Sequence, residues 1–372
     1  MKTLAKSRVL VTRFPYASQW GGEELHTLTL ARELDQRGIP SFFLGSCPIL
    51  LDAFKTAHFD VQKAWLGKPP VTKMWLILFT VLSPFLFLKS GWMLKKAQKK
   101  WRVDTVLMLS FGEKLLMTPW AKLFGMRTLW IEHARIGRWL TKNPWRVFYR
   151  AWSRWASVVV TSNAMVDFVR PWISKGQKIW PISCGVMTAK PSPLRDELKD
   201  FLKSGFGVVC VARLTADKGV DMLVHCVQSK PDGRLVLVGD GPLRKTLEKT
   251  ADPERVRFVS SLPRGELMDL YRCADLFVLP SREMDPFGMV VSEAMSFGTP
   301  VLLTNVCGIA HDLHHGREAW IVEPRIAEID KGLKRLMKDP ALCAGLGKAG
   351  QSFVKKHYTL DGMVDGFEEL VC

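Results

Sequence analysis

Two successive series of short apolar runs, each separated from the next by a helical stretch, dominate this sequence. The first series comprises residues 8–11, 41–44, 105–109, 128–131 and 157–160. The second comprises residues 207–212, 234–238, 257–259, 276–279, 300–303 and 319–322. Strands that alternate with helices are typical of parallel sheets with crossover helices. The sequence therefore predicts an α/β protein with two Rossmann-like domains, whose parallel sheets face each other across a ligand cleft.

The boundary between these domains is predicted in a polar segment, residues 185–196, that contains two prolines. A chain of 372 residues is long enough for two domains. We assign residues 1–188 to the first domain and residues 189–352 to the second. Residues 353–372 are expected to form a helix that packs back on the first domain.

Positive charge is concentrated in the first half of the chain. The whole sequence has 53 Lys and Arg against 36 Asp and Glu, a formal net charge of +17, and residues 61–160 hold 18 basic against 3 acidic residues. Of the 14 Trp, 13 lie at or before Trp180. A basic surface rich in Trp fits an anionic membrane or nucleic acid. The eight Cys are scattered and no secretory signal is evident, which indicates a reducing, cytoplasmic location.

The longest uncharged run, residues 74–88, has 15 residues and contains Pro84. A spanning helix needs about 20 apolar residues, so we expect this run not to cross a bilayer. The aromatic and basic residues around it are Trp75, Trp92, Lys95, Lys96, Lys99, Lys100 and Trp101. This pattern favours a segment that lies in a membrane interface, and we expect these residues to form the surface that meets the membrane. A buried helix followed by a solvated basic face is the alternative.

Two cations follow the first strand of the second series. Arg213 and Lys218 are five residues apart at the end of this strand, and Gly219 precedes a predicted helix. Charge-assisted hydrogen bonds from two fixed cations can neutralise a diphosphate without a metal. The next strand ends in a Gly-Asp-Gly-Pro turn that contains Gly239 and Gly241, with a helix predicted from its proline. A tight turn that binds no ligand is the alternative for this second motif.

A third group of residues follows the strand at 276–279. Asp285 lies in a loop, and Glu293 lies eight residues later on a helix predicted to begin near Gly288. Free backbone N–H groups at the start of a helix, here those of Gly288, Met289 and Val290, can bind an anion. The Glu293 carboxylate lies further along the same helix, where it can accept hydrogen bonds from two sugar hydroxyls.

Together, these motifs resemble the donor domain of glycosyltransferase family 4, the retaining enzymes of the GT-B fold. The matching segments are Arg213, Lys218-Gly219, Gly239-Asp240-Gly241-Pro242, Pro280-Ser281, Asp285-Pro286-Phe287-Gly288, Glu293-Ala294-Met295 and Gly298-Thr299-Pro300-Val301. At the amino terminus, Gly21-Gly22-Glu23-Glu24 is similar to the Gly-Gly-x-Glu loop of the family.

The resemblance implies a donor site for a nucleotide-diphosphate sugar. Its residues would be Gly21, Gly22, Arg213, Lys218, Gly239, Gly241, Asp285, Phe287, Gly288, Met289, Val290 and Glu293. Arg213 and Lys218 would hold the diphosphate, and Glu293 would bind the ribose hydroxyls. Asp285 takes the place of the first Glu in the Glu-x7-Glu pair of the family, the carboxylate that approaches the transferred sugar. With Arg213, Lys218 and Asp285, the fourth catalytic candidate is His133, which follows a predicted strand. Glu132 and Arg135 are further candidates beside His133.

The sequence favours no metal site and no permanently bound cofactor. The cluster of His311, His314 and His315 lacks the ligand spacing of a zinc site, and no Asp-x-Asp motif is present. Fixed cations and helix amino ends would therefore neutralise the donor diphosphate.

The sequence thus predicts a retaining glycosyltransferase with a membrane-associated acceptor, such as a lipopolysaccharide core, a phospholipid or a polyprenyl-linked glycan. The first domain would bind the acceptor, and the second would bind the nucleotide sugar. We expect a peripheral protein on the cytoplasmic face of the inner membrane, without a nucleic-acid partner. The alternatives are a nucleotide-sugar epimerase of GT-B fold and a basic scaffold that binds nucleic acid or membranes without activity.

Overall fold

The computed structural model of this protein describes residues 7–14, 20–133, 138–187 and 189–372, which divide into two compact units. The first unit comprises Met1–Thr161, Met165–Ile182 and Met363–Cys372. The second comprises Ser162–Ala164 and Ser183–Gly362. The chain therefore passes from the first unit to the second at residues 182–183 and returns at residues 362–363. The sequence placed these two boundaries at 188 and 352 instead.

The first unit contains a seven-stranded sheet in the order β3-β2-β1-β4-β5-β6-β7, and every strand pair is parallel. The strands are β1 (Val9–Arg13), β2 (Ser41–Gly45), β3 (Val61–Lys63), β4 (Thr105–Met108), β5 (Arg127–Glu132), β6 (Ser157–Val160) and β7 (Ile179–Pro181). The five strands predicted for this unit are confirmed. The two edge strands, β3 and β7, were not predicted, because each has only three residues, and β3 is partly polar whereas β7 contains Pro181.

In the described part of the chain, eight helices connect these strands: α1 (Gly22–Gln36), α2 (Pro48–Thr56), α3 (Lys73–Trp101), α4 (Phe111–Leu116), α5 (Thr118–Leu123), α6 (Arg138–Thr141), α7 (Arg146–Trp152) and α8 (Asn163–Val169). The chain returns to this unit through its last helix, α16 (Leu360–Val371). Phe367 of α16 is fully buried against the His26 ring, and Arg37, the residue directly after α1, donates to Glu368 at 3.0 Å. The terminal helix thus completes the core of the first unit.

The second unit contains a six-stranded parallel sheet in the order β10-β9-β8-β11-β12-β13. Its strands are β8 (Phe206–Val211), β9 (Gly233–Val238), β10 (Val256–Val259), β11 (Leu276–Leu279), β12 (Val301–Thr304) and β13 (Trp320–Val322). Its helices are α9 (Asp196–Lys203), α10 (Val220–Gln228), α11 (Arg244–Thr250), α12 (Arg264–Cys273), α13 (Met289–Ser296), α14 (Ile326–Met337) and α15 (Pro340–His357). All six strands predicted for this unit are confirmed. Together the two sheets confirm the predicted α/β class.

Both faces of the second sheet are buried, as expected for parallel strands between two helix layers. Val209 and Phe277 point into one apolar cluster, whereas their neighbours Val208 and Leu276 point into another on the opposite face. Residue 353, the predicted start of the terminal helix, lies inside α15. The helix continues there because Val354 is buried in the first of these clusters and Phe353 packs against it.

The apolar run at 74–88 lies in α3, a single helix of 29 residues that continues through Pro84. Proline lacks the N–H that would bond to the carbonyl of Thr80, and the Ser83 hydroxyl donates to that oxygen at 2.8 Å instead. By length and composition alone, this helix could cross a membrane. Only 22% of its most apolar stretch is buried inside the protein. The 15-residue apolar run is thus only part of a longer helix, so length alone does not exclude a membrane span.

Candidate active site

The loop after β8 holds the first two predicted site residues in different environments. Gly219 separates a short turn from α10 and has φ +63°, and a β-carbon there would collide with the Pro280 carbonyl oxygen. This packing holds Lys218 close to the loop after β11. The Lys218 ammonium donates to the Asp285 carboxylate at 2.5 Å, and both side chains are only 14% exposed. Arg213 is 65% exposed instead, with its guanidinium 3.9 Å from Asp217.

Backbone hydrogen bonds fix the Asp285 loop to the segment that follows β12. The Asp285 N–H donates to the Val306 carbonyl at 3.1 Å, and the Asp285 carbonyl accepts from Gly308 N–H at 2.7 Å. Gly288, at φ +92°, closes the loop and precedes α13, which begins one residue later, at Met289. The first N–H groups of a helix have no acceptor within it. The structure thus brings a partly buried ion pair and a helix amino end into one loop region of the second unit.

Glu293 lies on α13 and is buried, with its carboxylate bound on both sides. Arg264 donates to one oxygen at 2.7 Å, and the Tyr271 hydroxyl donates to the other at 3.1 Å. Burial raises the pKa of Glu293, although the Arg264 charge and the two hydrogen bonds oppose the shift. Arg264 and Tyr271 were not identified from the sequence, because both lie on α12, which carries no motif. Each Glu293 oxygen has a further lone pair that can accept a hydroxyl.

The glycine-rich turn after β9 packs directly against the loop that carries Arg213. Gly239 has φ +145° and Gly241 has φ +157°, and β-carbons there would collide with the carbonyl oxygens of Ala212 and Leu214. The two glycines therefore let two loops approach closely, which is the tight-turn alternative, whether or not a ligand also binds there. The following helix, α11, begins at Arg244, two residues after the proline at which the sequence predicted its start.

In the first unit, Gly21 and Gly22 open α1 beside His133. Gly21 has extended backbone at φ −159°, and α1 begins at Gly22. Glu23 is paired with the Arg13 guanidinium. Burial alone would raise the pKa of Glu23, but Arg13 and His133 outweigh this effect and lower it to about 2. The carboxylate is therefore charged at neutral pH, next to the predicted catalytic histidine.

The His133 side chain is only 5% exposed and meets a second histidine that the sequence did not single out. His133 Nε2 lies 2.8 Å from His26 Nδ1, and His133 Nδ1 lies 3.7 Å from the Glu23 carboxylate. Burial, and then the charge of His133, hold the pKa of His26 well below its usual value, so His26 is neutral. His133 Nδ1 is buried and has no hydrogen-bond partner among the residues that the structure describes.

Glu132, the neighbouring candidate, belongs to a buried polar network. The Lys114 ammonium donates to its carboxylate at 2.7 Å, and the Tyr149 hydroxyl donates at 2.5 Å. These partners assign Glu132 to the interior of the first unit. Arg135 lies outside the described residues.

The histidine cluster after β12 makes local contacts within the second unit. Glu318 accepts from both the N–H and the ring of His314, and His315 Nδ1 accepts from the Ile321 N–H at 3.1 Å. Within residues 7–14, 20–133, 138–187 and 189–372, no three His, Cys, Asp or Glu residues are grouped to hold a metal ion.

The sequence matches the models of two protein families, one in each half of the chain. Residues 20–190 match "Glycosyltransferase Family 4", and residues 199–353 match "Glycosyl transferases group 1". These two matches together account for most of both units.

Two curated relatives show the range of similar proteins. Mannosylfructose-phosphate synthase of Agrobacterium fabrum is 27% identical over 238 residues, which cover 58% of this chain and 52% of the relative. The GDP-mannose-dependent alpha-(1-6)-phosphatidylinositol monomannoside mannosyltransferase of Mycolicibacterium smegmatis is 31% identical over 169 residues, which cover 41% of this chain and 43% of the relative. The chain thus spans about half the length of the curated relatives it matches.

Solved structures match over nearly the whole chain. HepE from Anabaena in complex with UDP has a TM-score of 0.78 and 17% identity, with 98% of each chain covered. WaaG, a glycosyltransferase involved in lipopolysaccharide biosynthesis, has a TM-score of 0.69 and 15% identity, with 98% of this chain and 99% of that chain covered. At such identities, the similarity concerns the fold.

Proposed function

This chain belongs to the family 4 type of glycosyltransferases, with the GT-B fold, and from this premise we propose that it transfers a hexosyl group from a nucleotide-diphosphate sugar to a membrane-associated acceptor. The transfer retains the configuration of the anomeric carbon and requires no metal. The observation that carries the proposal is the loop region in which Lys218, Asp285 and the amino end of α13 come together.

The second unit supplies the groups that hold the leaving diphosphate in this proposal. Lys218 and the N–H groups of Met289 and Val290 bind its oxygens, and the exposed Arg213 closes on it from solvent. Fixed donors that point at developing negative charge stabilise the transition state for departure of the diphosphate. Because these donors are already positive or dipolar, they take the role that a divalent cation would otherwise have. Glu293 accepts the ribose hydroxyls while Arg264 and Tyr271 hold its carboxylate in place.

Retention follows a front-face route in the proposal. The acceptor oxygen forms a bond to the anomeric carbon on the face from which the diphosphate oxygen departs, and the departing phosphate takes the acceptor proton. No covalent sugar intermediate forms on a side chain. Asp285 is directed toward the sugar, and Lys218 balances its charge.

The first unit supplies His133 as a hydrogen-bonding contact for the sugar or the acceptor hydroxyl. Its buried Nδ1 has no hydrogen-bond partner among the described residues, and a ligand hydroxyl would provide one. The charged Glu23 beside it favours a proton on that nitrogen. His133 would therefore donate through Nδ1 while Nε2 stays bonded to His26.

The membrane-associated acceptor is proposed from the charge of the first unit and from relatives. Residues 61–160 have a net charge of +15, from 18 basic and 3 acidic residues. One relative is named for a phosphatidylinositol mannoside, and one structural neighbour for lipopolysaccharide biosynthesis. We propose that the protein is peripheral and acts on the cytoplasmic face of the inner membrane.

The test is a panel of UDP-, GDP- and ADP-sugars incubated with envelope lipid extract, followed by NMR assignment of the anomeric configuration in the product. Arg213→Met is the first variant, because its exposed side chain leaves the fold intact. Loss of one charge-assisted hydrogen bond, about 1.5–3 kcal/mol, lowers transfer by roughly tenfold or more. Lys348→Met, at an exposed position of α15, is the matched control. A product with inverted anomeric configuration would contradict retention. Conversion of the donor to its epimer without acceptor would identify an epimerase instead.

A further inference from the structure

Helix α3 exposes one continuous apolar face to solvent. Its members recur every three or four residues and are each 60–71% exposed: Met74, Ile77, Val81, Phe85, Leu88 and Trp92. At about 1.5 Å per residue, this face is roughly 27 Å long. Isolated exposed apolar side chains are common, but a contiguous patch of this size marks an interaction site.

The opposite face of α3 is packed on the first unit. Phe79, Leu86 and Leu94 are buried, and the Ser90 hydroxyl donates to the Leu116 carbonyl at 3.0 Å. Gly91 lies against the Trp120 indole, where no β-carbon would fit. Since these contacts occupy one side of the helix along most of its length, α3 cannot cross a bilayer without leaving the unit that it completes.

The exposed face continues into a basic end. Lys95, Lys96 and Lys99 follow Trp92 at the same three- or four-residue spacing, and all three are exposed. No acidic residue occurs from residue 61 to residue 103. The Lys96 ammonium lies 5.1 Å from the centroid of the Trp92 ring. The apolar face therefore ends in a concentrated positive charge with a tryptophan at the junction.

We infer that this face of α3 docks on an anionic lipid bilayer and lies in its interface rather than across it. The side chains from Met74 to Trp92 enter the boundary between headgroups and acyl chains, and the lysines contact lipid phosphates. This inference names the surface that would bring the enzyme to its acceptor. It rests on the proposed function for its purpose, but vesicle binding can be measured without sugar transfer.

Charge argues for lipid over a second copy of the chain. If two copies paired their α3 faces in parallel, their lysines would be opposed; in an antiparallel pair, the lysines of one would lie on the apolar side chains of the other. Both arrangements are unfavourable, since a charge removed from water requires an opposite partner. An anionic leaflet offers hydrocarbon and phosphate together.

The experiment is sedimentation of the full chain with vesicles of phosphatidylcholine alone and of phosphatidylcholine mixed with phosphatidylglycerol. We expect binding to the anionic vesicles that weakens with added salt. Each lysine near an anionic surface contributes about fivefold in affinity, so Gln at Lys95, Lys96, Lys99 and Lys100 together lowers binding several-hundredfold. The control is the same four-charge change at exposed lysines of the second unit: Lys338, Lys348, Lys355 and Lys356.

The apolar face is tested by Val81→Asp combined with Phe85→Asp, against Ile326→Asp, an exposed apolar residue of α14. The double variant should lose vesicle binding at every salt concentration, whereas the control should bind as wild type. Calorimetry with UDP, GDP and ADP verifies that each variant keeps its nucleotide site. Equal binding by the double variant would overturn the inference, and so would absence of wild-type binding to anionic vesicles. A lipid-free dimer that the double variant converts to a monomer would assign the face to a second copy instead.

Discussion

Replacing Asp285 with Asn separates the two roles that its carboxylate has in the proposed reaction. The Asp285 carboxylate neutralises the Lys218 ammonium at 2.5 Å, and both are largely shielded from solvent. A donor diphosphate held by the same ammonium would bring a second anion close to Asp285. The variant removes this repulsion but also removes the carboxylate that is directed toward the sugar. We therefore expect Asp285→Asn to bind nucleoside diphosphate more tightly and to transfer sugar more slowly.

The magnitude follows from distances. A phosphate oxygen bonded to the Lys218 ammonium at about 3 Å lies at most about 5.5 Å from the Asp285 oxygen on the other side. Two unit charges at that separation repel by about 3 kcal/mol at an effective dielectric constant near 20. This value corresponds to roughly 100-fold in a dissociation constant before screening by solvent and salt. We expect the dissociation constant for nucleoside diphosphate to fall by about tenfold or more. The full Coulomb value is not reached, because the Asn oxygen still accepts a hydrogen bond from the Lys218 ammonium.

Isothermal titration calorimetry with UDP, GDP and ADP measures the binding, and product formation from the matching nucleotide sugar measures the transfer. Glu254→Gln is the control, because it removes the same charge from an exposed side chain that precedes β10, an edge strand three places away from β11 in the sheet. Weaker binding of every diphosphate by a folded Asp285→Asn protein would refute the reasoning. That result would mean that Asp285 holds Lys218 in position and does not share an anion site with it.

Three further predictions follow from other contacts. Burial raises the pKa of Glu113 to about 7 against the opposing effect of the Ser110 N–H. The protonated side chain therefore stabilises the fold fully below about pH 4.5, and this contribution, up to about 3 kcal/mol, is lost as the pH rises through 7. In urea unfolding, Glu113→Gln should lack this fall of the unfolding free energy between pH 4.5 and 7, and an unchanged fall would assign it to another group. Tyr271→Phe removes the hydroxyl that donates to Glu293 at 3.1 Å and should lower the free energy of unfolding by about 1 kcal/mol, whereas a stability equal to wild type would show that this bond contributes nothing. Chelation by EDTA should leave the transfer rate unchanged, because Lys218 and Arg213 act in place of a metal ion; a rate that falls and recovers with added Mg²⁺ or Mn²⁺ would contradict that assignment.

The architecture could be predicted because parallel strands buried on both faces leave continuous apolar runs in the sequence. The missed strands show the limit of that signal: β7 contains Pro181 and β3 is partly polar, so neither has a periodic pattern. Which side chains meet depends on which strands are neighbours in the sheet, and this order differs from the order along the chain. The 2.5 Å contact between Lys218 and Asp285 joins residues 67 positions apart, and spacing along the chain does not encode it.

Two other features, the partners of the site residues and the exposed face of α3, could not be predicted from sequence motifs. Glu293 belongs to a recognisable motif, whereas its partners Arg264 and Tyr271 lie on a helix that has none, and His26 has the appearance of an ordinary α1 residue until β5 brings His133 to it. Helix α3 is apolar on several sides, so composition alone does not indicate which side the protein buries. Only the packing of Leu86 and Gly91 against the first unit identifies the face that stays exposed.

The return of α16 to the first unit constrains the order in which the protein can acquire its structure during synthesis on the ribosome. Residues 363–372 contribute the buried Phe367 to that unit, yet they are translated after the whole of segment 183–362. The second unit can therefore complete its fold while the first still lacks part of its interior. A nascent chain would expose the His26 region to solvent and chaperones until its last turns of helix emerge.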